Sequence, residues 1–224
     1  NRSAWFRGSA VYGDGFIVDD DVRERLIASN EANASCIRPL IGGEEINTDP
    51  QQGYRRQVIN FEKRSIEEAS QWPDLLDIVR TKVKPERELV RTDTAGGAHR
   101  KKYWWQFSEP RVELYGAITS LKRCLVGSQV SKHLVLAFQP TDRVFSHTLN
   151  VFALESSGSF AVLQSRAHEC WARMLCSSMR TDLRYSPSDC FETYPFPQAD
   201  PRAVIPALED VGERLYTARA AYMV

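Results

Sequence analysis

The sequence predicts an α+β fold in which antiparallel strands pack with helices, and three observations support this. Polar and apolar residues alternate over residues 54–61, and residues 125–152 are rich in Val, Leu and Phe, as strands are. Other stretches place apolar residues at helical spacing. Strands and helices do not alternate regularly along the chain, which argues against a parallel sheet built from βαβ units.

The N-terminal part is predicted to contain an extended segment and a helix. Residues 9–18 are extended, with a glycine turn in the middle. Acidic residues 19–21 favour a helix start, because carboxylates stabilise the positive end of the helix dipole. Val22, Leu26 and Ile27 then lie on one helix face.

A short apolar segment, a strand and a broken helix follow. Residues 36–41 are short and apolar and end at a glycine pair, and residues 54–61 form a strand. The Ser-Ile-Glu-Glu sequence at Ser65 is a capping-type helix start. Helical character then continues, with a break at Pro73, to about Lys82.

The middle of the chain is predicted to change from helix to sheet. Residues 92–98 contain two glycines and are predicted to form a loop. Pro110 suits a first helical turn, and apolar residues recur at helical spacing from Val112 to Leu125. Residues 125–152 are predicted to form antiparallel strands with a turn near Pro140.

The C-terminal part is predicted to be mainly helical. One long helix starts at Ser157 and has an apolar side made of Phe160, Leu163, Ala167, Trp171 and Leu175. Residues 185–201 contain too many prolines for a helix or a strand and form an ordered loop. A last helix covers residues 201–222.

Composition limits the possible classes of protein. The 224 residues are 42% hydrophobic, which suits one core or two packed lobes. Lysine plus arginine and aspartate plus glutamate both number 29, so a non-specific nucleic-acid coat is not expected, although a local basic strip is possible. No apolar run approaches the roughly 18 residues of a membrane span, and no membrane partner is expected. Five irregularly spaced cysteines suit free thiols in a reducing cytoplasm.

Motifs for catalysis are not visible in the sequence. It lacks a phosphate-binding GxxxxGK[ST] loop, a GxSxG elbow and an Asn-Pro-Pro-aromatic motif. His168, Cys170 and Cys176 match no zinc spacing, and buried thiols on a core helix are the favoured interpretation. A nucleophilic pair of His168 and Cys190 lacks a local signature. We therefore predict no catalytic residue, metal or cofactor in this chain.

A basic strip is the first candidate binding feature. Residues 80–102 contain eight cations and three acids, and the strip includes Arg91, Arg100, Lys101 and Lys102. Such cations attract phosphates in a salt-dependent way. A solvated helix face beside an aromatic core explains the same residues about equally well, and Trp104 and Trp105, which follow the strip, are expected in the core.

A second candidate lies between apolar strands, in residues 139–147. Its side chains offer both donors and acceptors for base edges: Gln139, Thr141, Asp142, Arg143, Ser146 and His147. Arginine suits guanine, glutamine suits adenine, and aspartate can accept from cytosine. An ordinary polar hairpin is the alternative.

Several segments in order resemble one family over nearly the full length. They are Phe6-Arg7-Gly8, Gly13-Asp14-Gly15-Phe16, the run from Arg38 to Asn47, Val83-Lys84-Pro85-Glu86-Arg87, Trp104-Trp105 with Arg111, the helix containing Leu163-Gln164-Ser165, His168 and Trp171, Leu183-Arg184-Tyr185-Ser186, and the run from Cys190 to Pro197. The chain resembles the target recognition domains of MmeI-like type IIL and type IIG restriction–modification enzymes and of related phage-defence methyltransferases.

The resemblance implies a place in a larger polypeptide. A methyltransferase domain of the same polypeptide would precede this chain, bind S-adenosylmethionine and methylate adenine N6 in double-stranded DNA in the bacterial cytoplasm. Residues 1–198 would form the DNA target recognition domain, and residues 199–224 would begin a C-terminal helical region. The predicted DNA contacts are the two candidate groups above together with Arg111, Lys132 and His133.

Two functions of other classes are alternatives to this one. A protein-interaction module that docks partner subunits of a phage-defence complex would be favoured by an exposed aromatic patch without a basic face. A thiol hydrolase would require a polarised cysteine–histidine pair in a cleft.

Overall fold

The computed structural model describes residues 1–223, which form eleven strands and eleven α-helices. The strands are β1 Trp5–Arg7, β2 Ile17–Val18, β3 Ile37–Ile41, β4 Arg56–Ile59, β5 Arg123–Ser128, β6 Val130–Ser131, β7 Leu136–Pro140, β8 Val144–Phe145, β9 Leu149–Phe152, β10 Ser177–Met179 and β11 Asp182–Arg184. The helices are α1 Asp20–Ser29, α2 Gly43–Thr48, α3 Ile66–Ala69, α4 Pro73–Lys82, α5 Lys84–Glu88, α6 Ala95–Lys102, α7 Val112–Ile118, α8 Ser157–Leu163, α9 Arg166–Leu175, α10 Pro187–Cys190 and α11 Pro206–Met223.

The strands form three sheets. The first has the order β1-β9-β5-β7 and is antiparallel throughout. The second has the order β2-β4-β3-β8, and its last pair, β3 with β8, is parallel. The third has the order β10-β11-β6 and is antiparallel. The predicted α+β class is confirmed, and the parallel β3–β8 pair is an exception to the predicted antiparallel pairing.

The first sheet lies between two hydrophobic cores because successive side chains of a strand point to opposite faces. On β5, Leu125 joins the core under α8 and α9, whereas Cys124 and Val126 join the core under α7. A third core lies between the second sheet and α4 and includes Trp105, while Trp104 packs against it partly buried. The expectation that both tryptophans belong to the core is met.

Two predicted boundaries are wrong because capping residues were missed. Residues 92–98 are not all loop: the Thr94 hydroxyl accepts a hydrogen bond from Gly97 N at 3.1 Å and starts α6. The helix from Ser157 is interrupted, because the Ser165 hydroxyl accepts from His168 N at 3.2 Å and starts α9 as a new helix.

Other elements differ in length from their predictions. The helix predicted from Pro110 ends at Ile118, and Leu125 already lies in β5. The predicted loop 185–201 contains the short helix α10, and the last helix begins at Pro206.

Helix α11 packs closely on α8. A Cβ atom at Gly212 would come within 1.9 Å of the Ser157 carbonyl oxygen, so only glycine allows this approach. The Glu209 carboxylate accepts from the backbone N–H groups of Ser157 and Gly158 at the start of α8, at 3.1 and 2.9 Å. The predicted domain boundary at residue 198 stays a prediction, but the helix that follows it is firmly attached to the core.

Candidate functional site

The residues predicted from the 139–147 segment lie at two ends of one short strand. Arg143 immediately precedes strand β8, and Ser146 immediately follows it. The two ends have different surroundings, which separates the six predicted residues into two groups.

The first group, residues 139–143, is bonded to itself and to the core. Gln139 is buried, and its amide donates to the Gln52 carbonyl at 2.9 Å while its side-chain oxygen accepts from Arg143 at 2.8 Å. Arg143 also pairs with Asp142 at 3.1 Å, and only 10% of its side chain is exposed. Thr141 donates to the Leu121 carbonyl at 2.9 Å. The polar atoms of this group are therefore largely occupied inside the fold.

Arg111 lies near the first group. It begins α7 in a left-handed conformation, with φ of 53°, and pairs with Glu109. Its neighbours Pro110 and Val112 line the same cavity as Asp142 and Arg143. The structure thus places Arg111 beside the cavity that Asp142 and Arg143 line.

The second group, Ser146 and His147, lines an open cleft together with Arg7, Gln129 and the start of α2. The His147 carbonyl accepts from Gln129 Nε2 at 2.8 Å and from Arg7 Nε at 3.2 Å, which fixes the turn. Partial burial and the positive charge of Arg7 lower the pKa of His147. Its imidazole is therefore neutral at physiological pH and can either donate or accept a hydrogen bond.

An aromatic contact connects this cleft to the basic helix α6. The ring of Tyr12 lies 5.3 Å from the ring of His147, and the Arg100 guanidinium lies 5.7 Å from the centre of the Tyr12 ring. Lys101 and Lys102 are exposed on the last turn of α6. The end of the basic strip and the Ser146–His147 turn therefore share one face.

The remaining cations of the basic strip differ in exposure and in their partners. Arg91 is exposed in the loop before α6, whereas Arg87 is buried. Arg80 and Lys84 form surface ion pairs with acids on their own helices. The strip thus contributes both a structural arginine and exposed charges.

A polar hairpin, here called the ribbon and formed by residues 177–184, continues the cleft. Its strand β11 pairs with β6, whose first residue Val130 lines the cleft. Lys132 and His133 follow β6 and are exposed. On the ribbon, Arg180 and Arg184 are exposed, whereas Leu183 is buried in the core.

A buried histidine supports the base of the ribbon. The two ring nitrogens of His168 contact the Leu163 carbonyl at 2.7 Å and the Tyr185 hydroxyl at 3.1 Å. Tyr185 directly follows β11 and is itself buried. Burial lowers the pKa of His168 to about 4, so the ring is neutral at physiological pH.

Comparison with known protein families identifies the family of this chain. A family model described as "MmeI, target recognition domain" matches residues 4–198, which is most of the chain. The chain belongs to the MmeI target recognition domain family.

A solved structure supports the same fold for this target recognition domain. The structure of the type IIL restriction–modification enzyme MmeI in complex with DNA is similar to 96% of this chain, with a TM-score of 0.68 and 17% sequence identity. The match covers 27% of that MmeI chain. Comparison with curated proteins returned no match. Within residues 1–223, every helix is too short or too polar to cross a membrane.

The alternative chemistry considered for this recognition domain is not supported by its geometry. His168 has both ring nitrogens occupied, so it is not poised to activate Cys190. A hydrogen bond with Cys176, together with burial, raises the pKa of the Cys190 thiol. Cys170 is exposed, so the expectation of a buried thiol there is wrong. Residues 1–223 contain no cluster of three or more metal-binding side chains.

Two parts of this face of the recognition domain carry no recognisable sequence signal. The ribbon turns through Arg180 and Thr181, without the Asn-Gly or Asp-Gly pair that usually marks a two-residue hairpin. Arg180 adopts φ of 58° instead. Tyr12 was missed because a single tyrosine in a glycine-containing turn carries no binding signal; only its contacts in the fold reveal its position beside His147.

Proposed function

We propose that this target recognition domain selects the sequence of double-stranded DNA for an adenine-N6 methyltransferase. The family match and the fold shared with DNA-bound MmeI support this proposal. The observation that carries it is one continuous face on which the α6 cations, the Ser146–His147 turn and the ribbon lie together. That face combines charges for phosphates with polar groups for bases.

The ribbon is the element best suited to contact bases. The major groove of B-DNA admits a two-stranded ribbon, and exposed side chains at its tip can reach base edges. Arg180 and Arg184 can donate to guanine, and Asp182, which is half-buried, can accept from cytosine. Ser146 and His147, in the adjoining cleft, supply further hydrogen-bonding groups of the predicted kind.

The accessible cations around this face are proposed to bind phosphates. They are the exposed Arg91, Lys101, Lys102 and Lys132, with His133 beside the last, and the half-buried Arg100. Phosphate contacts position a protein on the duplex and make its affinity depend on salt. The zero net charge of the chain is compatible with this role, because the charges need only be concentrated locally.

The residues that precede β8, together with Arg111, remain predicted DNA contacts, but each side chain already has a partner within the fold. Gln139, Thr141, Asp142, Arg143 and Arg111 would have to exchange an internal bond for a DNA contact. Asp142 is the most accessible of these, with 65% of its side chain exposed.

Methyl transfer is assigned to another domain of the same polypeptide. That domain would bind S-adenosylmethionine and take the target adenine out of the stack, which costs a few kcal/mol. The recognition domain would hold the duplex from the other side and offset part of that cost through base and phosphate contacts. DNA as the partner and the reducing conditions suited to free cysteines favour the bacterial cytoplasm.

Methylome sequencing tests this function directly. The intact gene is expressed in a host that lacks adenine methyltransferases, beside the same host with an empty vector. We expect one new short motif with methylated adenine. Two results together would contradict the proposal: an unchanged methylome, and an intact polypeptide that binds random duplexes no better than a protein of equal charge.

A further inference from the structure

We propose that Tyr12 is a DNA-contacting residue that packs on the sugar and base surface of the duplex, and that Arg87 is the residue that positions it. This inference rests on the proposed function and adds a non-ionic contact that does not depend on base sequence. Three features of the fold carry it: the bonds of Arg87, the backbone of Tyr12 and the surroundings of the Tyr12 ring.

Arg87 joins two separate segments from inside the protein. Its Nη1 donates to the carbonyls of Tyr103 and Gln106 at 3.3 and 2.7 Å, and its Nη2 donates to those of Val11 and Tyr12 at 3.1 and 2.9 Å. Only 3% of the residue is exposed. A buried guanidinium is costly unless hydrogen bonds satisfy it. Four carbonyls, and no carboxylate, bond to the two Nη atoms, while the buried Nε has no partner within residues 1–223.

The backbone at Tyr12 has an unusual conformation that Arg87 maintains. Tyr12 has φ of 41°, in the left-handed region that residues other than glycine rarely adopt. Such a conformation persists only where the surrounding structure determines it. The Tyr12 carbonyl, bonded to Arg87, is the point at which the core fixes this turn.

The core does not explain where the Tyr12 side chain points. The residue is 51% exposed, which is unusual for an aromatic side chain on a constrained turn. One side of the ring contacts His147, and the Arg100 guanidinium lies near its face. An exposed aromatic ring between a neutral imidazole and a cation suits a deoxyribose or an unstacked base beside a phosphate.

The test compares binding of two duplexes by the intact polypeptide: one with its methylated motif and one with that motif scrambled. In Tyr12→Asn the ring is lost, while asparagine tolerates the left-handed backbone. We expect both duplexes to bind about 5- to 100-fold more weakly, the range for losing one stacking contact. The slope of log affinity against log salt should stay as in the wild type, because the lost contact is not ionic.

Two further variants define the expected pattern. Tyr12→Phe should bind like the wild type, because it keeps the ring. Arg100→Ala, the matched control beside it, should lower the salt slope by about one. Unchanged affinity of Tyr12→Asn at every salt concentration would overturn the contact, and a lower slope would show that its effect is indirect and ionic.

Arg87→Lys tests positioning, because a lysine cannot bridge both segments. We expect its affinity to fall as in Tyr12→Asn, and the double variant to bind no more weakly than either single variant. Additive losses in a folded protein would overturn the positioning role. If Arg87→Lys does not fold, Arg87→Gln replaces it, because one amide nitrogen cannot bond to both segments, and the same non-additive loss with Tyr12→Asn is expected.

The outcomes separate this inference from the proposed function. This inference alone is contradicted if the wild-type polypeptide distinguishes the two duplexes and Tyr12→Asn binds each duplex as tightly as the wild type does. A wild-type polypeptide that binds neither duplex contradicts both.

Discussion

The ribbon and the 139–143 segment have similar polar compositions but different roles in the fold. Both adjoin strands and both contain arginine and aspartate. In the 139–143 segment, Gln139 and Arg143 bond to each other, and Gln139 also donates to the Gln52 carbonyl. On the ribbon, Arg180 and Arg184 extend into solvent. The comparison teaches that polar residue types do not identify a binding segment until the internal partners of their side chains are known.

The largest expected effect follows from removing both ribbon arginines. Each bidentate contact with guanine provides about 1–3 kcal/mol of discrimination, so Arg180→Ala with Arg184→Ala should abolish or relax the methylated motif. Methylome sequencing of the intact gene measures this change. The thermal stability of the protein should be unaffected, because both side chains are exposed.

Arg166→Ala is the matched control for the ribbon variant. Its side chain is 83% exposed on α9 and pairs with Glu169 on the same helix. It should leave both the motif and the extent of methylation unchanged. An unaltered motif in the ribbon variant would mean that the ribbon, like the 139–143 segment, does not contact the bases.

Acid is expected to weaken the support beneath the ribbon. The pKa of His168 is about 6.5 in the unfolded chain, whereas burial lowers the pKa to about 4 in the folded protein. The stability present above pH 6.5 is therefore lost as the pH falls through this window, by about 3 kcal/mol. Urea unfolding at pH 7, 5.5 and 4.5 measures the loss, and His168→Gln should show a correspondingly flatter pH dependence.

Arg143→Ala tests whether the 139–143 segment serves the fold or contacts bases. It leaves the buried Gln139 side-chain oxygen without its partner, which should lower the free energy of unfolding by about 1–2 kcal/mol. The methylated motif should stay the same if Arg143 serves the fold alone. A changed motif with unchanged stability would instead establish Arg143 as a base contact and reverse the assignment of the two regions.

The smallest expected effects concern the exposed lysines of α6. Lys101→Ala and Lys102→Ala should each weaken binding evenly across sequences and lower the salt slope by about one. Binding isotherms from 50 to 200 mM salt check this. Loss of motif preference in either variant would mean that α6 contacts bases and not phosphates.

The sequence was sufficient for several local elements and for the family. Acids at the start of α1 and the capping sequence at Ser65 identified helices that the structure contains. Alternation over residues 54–61 likewise identified β4. These features depend on neighbours in the chain, which a sequence displays directly.

The candidate site was only partly predictable because it depends on contacts between distant residues. The parallel pairing of β8 with β3 places Ser146 at the cleft and leaves Arg143 at the other end, and no local pattern encodes that pairing. The position of Tyr12 beside His147 joins residues far apart in the chain. The ribbon lacks the usual turn residues, so its strands could not be recognised.

Photo-crosslinking from two matched positions shows whether the ribbon, and not the 139–143 segment, lies beside the bases. A photoreactive phenylalanine derivative replaces Thr181 at the ribbon tip in one version of the intact polypeptide and Asp142 in another, since both positions are exposed. Each version is irradiated with a duplex that carries the methylated motif. We predict crosslinks from position 181 to bases inside the motif, whereas any crosslinks from position 142 should lie outside the motif. Crosslinks to the motif from position 142, with none from position 181, would contradict the account.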